Sequence, residues 1–102
     1  MSKLKILIIG THQAIMETIA RLIDKDGKWE ATIALNLNDA LECCYAKDFA
    51  LVLIGAGINE DQENVIKLHL ETIQLKIPVI KHYGGGSGLL YAEIYQGLDL
   101  TL

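Results

Sequence analysis

The apolar residues of this chain fall into short unbroken runs that alternate with helical stripes. Two runs, 4–9 and 49–54, are uninterrupted, as expected of strands buried on both faces of a parallel sheet. Residues 29–35 alternate between larger apolar side chains and smaller or polar ones, which predicts an edge strand. Pro78 opens a fourth apolar run over 78–83. The pattern therefore predicts four strands.

Apolar residues spaced three or four positions apart predict a helix after each strand. Thr11, Asn36 and Asn59 are N-cap residue types, and they predict where the first three helices begin. The predicted inward stripes are Ile15, Ile19, Leu22 and Ile23 in the first helix, Leu37, Ala40, Leu41 and Cys44 in the second, and Ile66, Leu70 and Ile73 in the third. The fourth helix, 89–98, is apolar on nearly every side.

Length and charge exclude several classes of protein. The 102 residues predict a single domain over 1–102, and 51% of them are hydrophobic, enough for a packed core. With 9 basic residues against 13 acidic ones and no basic patch, we expect no nucleic-acid partner. The apolar runs are too short to span a membrane and no signal-peptide cleavage site follows the first residues, so we expect a cytoplasmic protein. Adjacent Cys43 and Cys44 are expected to be reduced thiols.

The predicted strands and helices alternate in the order β-α-β-α-β-α-β-α. This order predicts a parallel sheet with helices on both faces, because crossovers between parallel strands are right-handed. The run 5–9 with the helix around 14–17 resembles the opening of a response-regulator receiver domain. Residues 38–42 with 49–54 resemble its second helix and third strand, and 77–80 its fourth strand. The resemblance covers roughly residues 3–83 and implies a three-layer α/β, flavodoxin-like fold with four parallel strands in the order 2-1-3-4. It also implies signal transduction in a bacterial cytoplasm.

The chemistry of the resembled family is missing from this chain. In receivers, two acidic residues after the first strand bind magnesium, and an aspartate at the end of the third strand accepts the phosphoryl group. The matching positions are Gly10, Thr11 and Gly55, which offer neither a carboxylate for a metal nor a nucleophile. We therefore expect a degenerate phosphorylation site, with no catalytic residue, no metal and no cofactor.

The end of the chain leaves two alignments open, because receivers have five strand–helix units and this chain has room for four. If 78–83 is the fourth strand, the Thr/Ser switch position is Tyr83; if it is the fifth, Lys81 matches the family's lysine. We favour a hybrid in which 78–80 is the fourth strand and the last helix replaces the family's final helix. That arrangement puts the first and last helices on one face of the sheet.

A glycine-rich segment before the last helix is the candidate ligand site. Consecutive backbone N–H groups at a helix start can hold an anion, and two histidines are predicted near the same strand ends. The candidate residues are Gly84, Gly85, Gly86, Ser87 and Gly88, with His12 and His82. The alternative is a shortened connection in which Ser87 is the N-cap.

The last helix is also the candidate interface, since loss of one strand–helix unit would expose a sheet edge and one flank of this helix. The predicted contact residues of a homodimer are Tyr83, Leu90, Tyr91, Ile94, Tyr95 and Leu98. The leading prediction is a phosphorylation-incompetent pseudo-receiver that acts through protein–protein contacts with a partner whose identity the sequence does not give. The alternative is a small-ligand or anion-binding domain that uses 84–88. No nucleophile–base pair suggests an enzyme.

Overall fold

The computed structural model describes residues 4–25, 27–46, 49–55, 57–72, 77–82 and 86–99. Strands and helices alternate along the chain. They are β1 (Leu4–Ile9), α1 (Gln13–Asp24), β2 (Trp29–Ala34), α2 (Leu37–Ala46), β3 (Leu51–Ile54), α3 (Glu60–Thr72), β4 (Val79–Lys81) and α4 (Gly86–Asp99). The predicted β-α-β-α-β-α-β-α order is confirmed.

The described residues form a four-stranded parallel sheet in the order β2-β1-β3-β4, as predicted. β1 lies in the middle, with Ile8 opposite Ile33 of β2 on one side and opposite Leu53 of β3 on the other. β3 in turn places Ile54 opposite Lys81 of β4. Because β1 and β3 are covered on both faces, their residues form the unbroken apolar runs seen in the sequence.

Each face of the sheet has its own core, because successive strand residues point to opposite sides. The α1–α4 core consists of Ile6, Ile8, Met16, Ile19, Ile23, Trp29, Leu51, Leu53, Leu90 and Ile94. The α2–α3 core consists of Leu7, Ile9, Ala34, Ala40, Cys44, Phe49, Val52, Ile54, Ile58, Ile66 and Leu70. The first and last helices therefore share one face, as predicted.

One predicted core position in α1 is wrong. Ile15 is 43% exposed, and the neighbouring Met16 is fully buried in its place. The cause is the start of the helix: His12, not Thr11, occupies the N-cap position, and it makes no side-chain capping bond. Met16, Ile19 and Ile23 then form the inward stripe, at the spacing of one helix face.

The caps of the next two helices agree with the prediction. Asn36 Oδ1 accepts a hydrogen bond from the Asp39 backbone N–H at 2.8 Å, which caps α2. Asn59 Oδ1 accepts from the Gln62 N–H at 2.8 Å, while Gln62 Oε1 accepts from the Asn59 N–H at 3.1 Å. This second pair is a complete capping box, so the local sequence determines where α3 begins.

Helix α4 begins at Gly86, three residues before the predicted start, and it lies unusually close to the sheet. A Cβ atom at Gly97 would lie 2.7 Å from Leu51 Cδ1 and 2.9 Å from Ile80 Cγ1. Only glycine permits this approach without displacement of a neighbour. Within the described ranges, no helix is long and apolar enough to cross a bilayer.

Candidate functional site

Backbone hydrogen bonds connect the carboxyl end of β1 to β2 on one side and to β3 on the other. The Gly10 N–H donates to Ala34 O at 3.1 Å, and the Gly55 N–H donates to Ile9 O at 2.7 Å. In parallel α/β sheets, ligands bind beyond these strand ends. The structure thus brings Gly10 and Gly55, two of the three predicted degenerate positions, to the edge of the sheet where a receiver-like site is expected.

Met16 fills the space next to Gly55. A Cβ atom at Gly55 would lie 2.6 Å from Met16 Cε and 3.2 Å from Met16 Sδ, and Met16 is itself fully buried. Contacts under about 3 Å require one of the atoms to move. A side chain at position 55 would therefore have to displace the end of the Met16 side chain, and the prediction from residue type alone did not anticipate that contact.

Thr11 packs against the loop after β3. A Cβ atom at Gly57 would lie 1.8 Å from Thr11 Oγ1, and the Gly57 backbone has a φ of +90°, which disfavours other residues. The side chain that stands at a metal-binding position of the resembled family is thus a hydroxyl that lies against the chain's own backbone. Gly10, Thr11 and Gly55 themselves place no charged side chain at the ends of β1 and β3.

The end of β4 carries charge. Lys81 points to the α3 side of the sheet, where its Nζ lies 3.6 Å from Glu63 Oε1, and Lys67 Nζ lies 2.9 Å from Glu63 Oε2. The hydrogen bond from Lys67, reinforced by the positive charges of Lys67 and Lys81, holds the pKa of the Glu63 carboxyl below its usual range despite partial burial. At 3.6 Å the Lys81 contact is an ion pair rather than a hydrogen bond, which agrees with Glu63 Oε1 having no hydrogen-bond partner.

His82 points to the opposite side, toward α4. Its backbone N–H donates to Ile54 O at 2.8 Å, which continues the β3–β4 pairing, and its Nδ1 lies 2.5 Å from Glu93 Oε1. The two side chains are 11% and 10% exposed. Among the described residues, Glu93 is the charged residue that is buried.

Sequence reasoning missed Glu93. The signal was present, because Glu93 is the single charged residue in the apolar segment 89–98. An isolated acid on a buried helix requires a partner. His82 is eleven positions away, and only the packing of α4 on the sheet brings the two together.

The structure describes only part of the predicted ligand-binding residues, and no contact within that part connects them. His12 is exposed at the start of α1, and no hydrogen bond between the described side chains links it to His82. Gly84 and Gly85 lie outside the described residues, while 86–88 form the first turn of α4. Ser87 is therefore inside the helix and is not its N-cap. Anion binding by this segment stays a prediction.

The predicted interface residues have different environments. Leu90 and Ile94 are fully buried in the α1–α4 core, so their assignment to an interface is corrected. Tyr91 is half-buried and donates a hydrogen bond to Leu22 O at 2.8 Å. Tyr83 lies outside the described residues, and Leu98 packs against the core.

Tyr95 is the predicted interface residue that the structure leaves exposed, at 48%. Its ring contacts Trp29 edge-on, with centroids 5.2 Å apart, and its hydroxyl accepts a hydrogen bond from Lys28 Nζ at 3.3 Å. The ring is therefore held in place and is available to a partner.

The cysteines supply no nucleophile at the strand ends. Cys43 and Cys44 are free thiols on α2, as predicted. Burial, together with the neighbouring Cys43, raises the pKa of the Cys44 thiol. A thiol of this kind is inert near neutral pH, since the thiolate is the reactive form.

No family model matches the chain, and no curated protein is significantly similar to it. Solved structures do match. The chain superposes on the N-terminal domain of a response regulator/sensory box/GGDEF 3-domain protein from Carboxydothermus hydrogenoformans with a TM-score of 0.78, at 21% identity over 95% of both chains. A CheY-like response regulator receiver domain protein from Methanospirillum hungatei JF-1 matches with a TM-score of 0.64, at 18% identity over 96% of this chain and 78% of that one.

A third match is the signal receiver domain of an HD domain-containing protein from Pseudomonas fluorescens Pf-5. Its TM-score is 0.59, at 13% identity over 96% of this chain and 78% of that one. At such identities the likeness extends to the fold. The sheet order, the distribution of the helices and these structural matches agree with the sequence resemblance, and the chain folds as a receiver-like domain.

Proposed function

We propose that this chain is a pseudo-receiver, a signalling-type domain that has lost aspartyl phosphorylation and acts through protein–protein contacts. The observation that carries the proposal is the packing of Met16 against Gly55, where a Cβ atom would lie 2.6 Å from Met16 Cε. An aspartate at the end of the third strand would have to displace the end of the Met16 side chain. The packing around position 55 therefore favours glycine, in addition to the absence of a carboxylate there.

The surrounding side chains support the same proposal. Gly10 and Thr11 offer no carboxylate for a magnesium ion, and the Thr11 hydroxyl lies against Gly57. Lys81, which one alignment matches to the family's lysine, pairs with Glu63 of α3 instead. Lys81 and His82 at the end of β4 thus each have a partner in the described part of the chain.

Treatment with acetyl phosphate and magnesium tests the proposal. We expect the intact mass, measured in acid, to stay unchanged, because no carboxylate nucleophile is present at position 55. A receiver domain that carries its aspartate, treated in parallel, serves as the positive control. A phosphorylated species that maps to residues 53–61 would contradict the proposal.

A second copy of the chain is the proposed contact partner. Among the described strands β4 lies at the edge of the sheet, and strand edges are usually paired or covered. Two-fold pairing is the commonest arrangement for a soluble chain. Tyr95, exposed and oriented by Trp29 and Lys28, is of a residue type that interfaces favour.

Analytical ultracentrifugation tests whether self-association involves Tyr95. We expect Tyr95→Asp to shift the protein from dimer to monomer, because the contact would bury a charge. Leu68→Asp is the matched control, since Leu68 is 64% exposed on α3, on the other face of the sheet. A wild-type protein that stays monomeric at high micromolar concentration would rule out the homodimer and leave a different protein as partner.

A further inference from the structure

The His82–Glu93 pair has no role in the proposed function. It lies at the carboxyl end of β4, with the two side chains 2.5 Å apart and nearly buried. Burial of a carboxylate beside an imidazole is costly, and a buried ionic pair is weak evidence for stability. The two titratable side chains lie at the edge of the sheet where α/β domains bind ligands. They are therefore a candidate reactive site.

Glu93 determines which nitrogen of His82 carries the proton. A carboxylate only accepts hydrogen bonds, so the neutral imidazole must donate from Nδ1. The lone pair of Nε2 then remains available for reaction. Glu93 is in this sense a positioning residue, because it selects the reactive form of another side chain.

The His82 ring is also partly exposed to solvent, with 11% of the side chain accessible. The described hydrogen bond of the ring uses Nδ1 and does not involve Nε2. A narrow opening of this kind favours a small donor over a large one.

We infer that His82 Nε2 is a modification site that accepts a phosphoryl group from a small N–P phosphoryl donor. In the step with phosphoramidate, the Nε2 lone pair forms the new N–P bond. The N–P bond of the zwitterionic donor breaks, and its electron pair leaves with ammonia. Nδ1 keeps its proton, and the positive charge that develops on the ring lies against the Glu93 carboxylate. The inference does not rest on the proposed function, since position 55 takes no part.

The test uses phosphoramidate and the histidines that the chain already contains. His12 is exposed and serves as an internal control for simple accessibility. We expect acid-labile, base-stable phosphorylation at His82, faster than at His12 in the same sample, as followed by peptide mapping at alkaline pH. His82→Gln should remove this species and leave the rate at His12 unchanged.

Replacement of Glu93 tests the positioning role. In Glu93→Met we expect phosphorylation of His82 to slow by about tenfold, the effect of losing a hydrogen bond to a charged group. The imidazole ¹⁵N chemical shifts should show loss of the Nδ1–H preference, and an unchanged amide spectrum of the other α4 residues should distinguish this from a general loosening of the helix. Glu93→Gln keeps an acceptor oxygen, so this variant should retain most of the phosphorylation rate of His82. It replaces the methionine variant in the test if that variant does not fold.

Two results would overturn the inference. One is modification of His82 no faster than that of His12 in the wild-type protein. The other is an unchanged His82 rate in a folded Glu93→Met variant. A hydroxylamine-sensitive acyl phosphate at 53–61 would instead contradict the proposed function, so the two failures are distinguishable.

Discussion

The ends of β3 and β4 lie side by side in the sheet but differ in character. At the end of β3, Gly55 is covered by the apolar side chain of Met16. One strand over, Lys81 reaches Glu63 of α3 and His82 reaches Glu93 of α4. The charge at this edge of the sheet is thus concentrated on the strand that follows the resembled acceptor position.

Strand geometry explains how one short strand serves both faces. Successive residues point to opposite sides, so Lys81 faces the α2–α3 core and His82 the α1–α4 core. Each meets an acid on the helix that covers its side. The comparison indicates that this edge of the sheet carries ionisable groups at the end of β4, each with a partner on the adjacent helix.

The largest expected effect comes from placing an acid at the closed end. Gly55→Asp should lower the free energy of unfolding by about 3 kcal/mol, because the side chain meets Met16 and its charge is partly desolvated. Met16→Ala in the same chain should recover part of that loss. Urea unfolding of the four members of this double-mutant cycle measures the coupling; strictly additive losses would mean that Met16 does not close the position.

A second test addresses the loop that follows β3. Gly57→Ala should cost about 2–3 kcal/mol, because it combines a positive φ with a clash against Thr11 Oγ1. Gly27→Ala is the matched control: its φ is +73°, but nothing lies within 4 Å of the added Cβ. It should cost only about 1 kcal/mol in the same thermal unfolding assay. Equal losses would exclude a role for Thr11.

The third test addresses the charged end. Glu93→Leu should cost about 1–3 kcal/mol, because the His82 Nδ1–H is left without its acceptor. The double variant His82→Phe/Glu93→Leu replaces the pair by apolar groups and should recover most of that loss. If the double variant is less stable than either single variant in chemical denaturation, packing rather than the hydrogen bond dominates at this site.

The smallest effect is expected at Glu63, and it depends on pH. Because the pKa of Glu63 is lowered in the folded state, its stabilisation is present above the ordinary carboxyl pKa of 4.5 and is lost as the pH falls through the folded value. Lys67→Met should remove more of it than Lys81→Met, since Lys67 lies at 2.9 Å and Lys81 at 3.6 Å. Both losses should stay below about 1 kcal/mol near neutral pH. Denaturation curves at pH 7 and pH 3 check this. The difference in unfolding free energy between the two variants should be smaller at pH 3 than at pH 7.

The sequence was informative wherever the determinants are local. Asn36 and Asn59 cap α2 and α3 as predicted, because a cap depends on neighbours three residues away. The sheet order followed from the alternation of strands and helices together with the family resemblance. In α1 the prediction named Ile15 where Met16 is buried, while Ile19 and Ile23 are buried as predicted.

The candidate site was less predictable, because it depends on contacts between distant segments. Residue types alone indicated that Gly55 cannot accept a phosphoryl group, but they gave no sign that Met16 occupies the space. The partner of His82 was hidden for the same reason. A lone acid in an apolar helix indicates that it has a partner but does not identify that partner. The packing of α4 against β4 shows that the partner is His82.

The absent side chain of Gly97 acts as a spacer that sets the reach of Glu93. Because a Cβ at this position would press on Leu51 and Ile80, a larger residue must displace these side chains or lift α4 from the sheet, and we expect part of the strain to move the helix. Glu93 stands four residues earlier, one helical turn away on the same face. A displacement of a few tenths of an ångström at Gly97 would therefore lengthen the contact with His82 as well. Natural or engineered variation at this glycine would therefore change the hydrogen bonding of the His82 imidazole without any change in the residues that contact it.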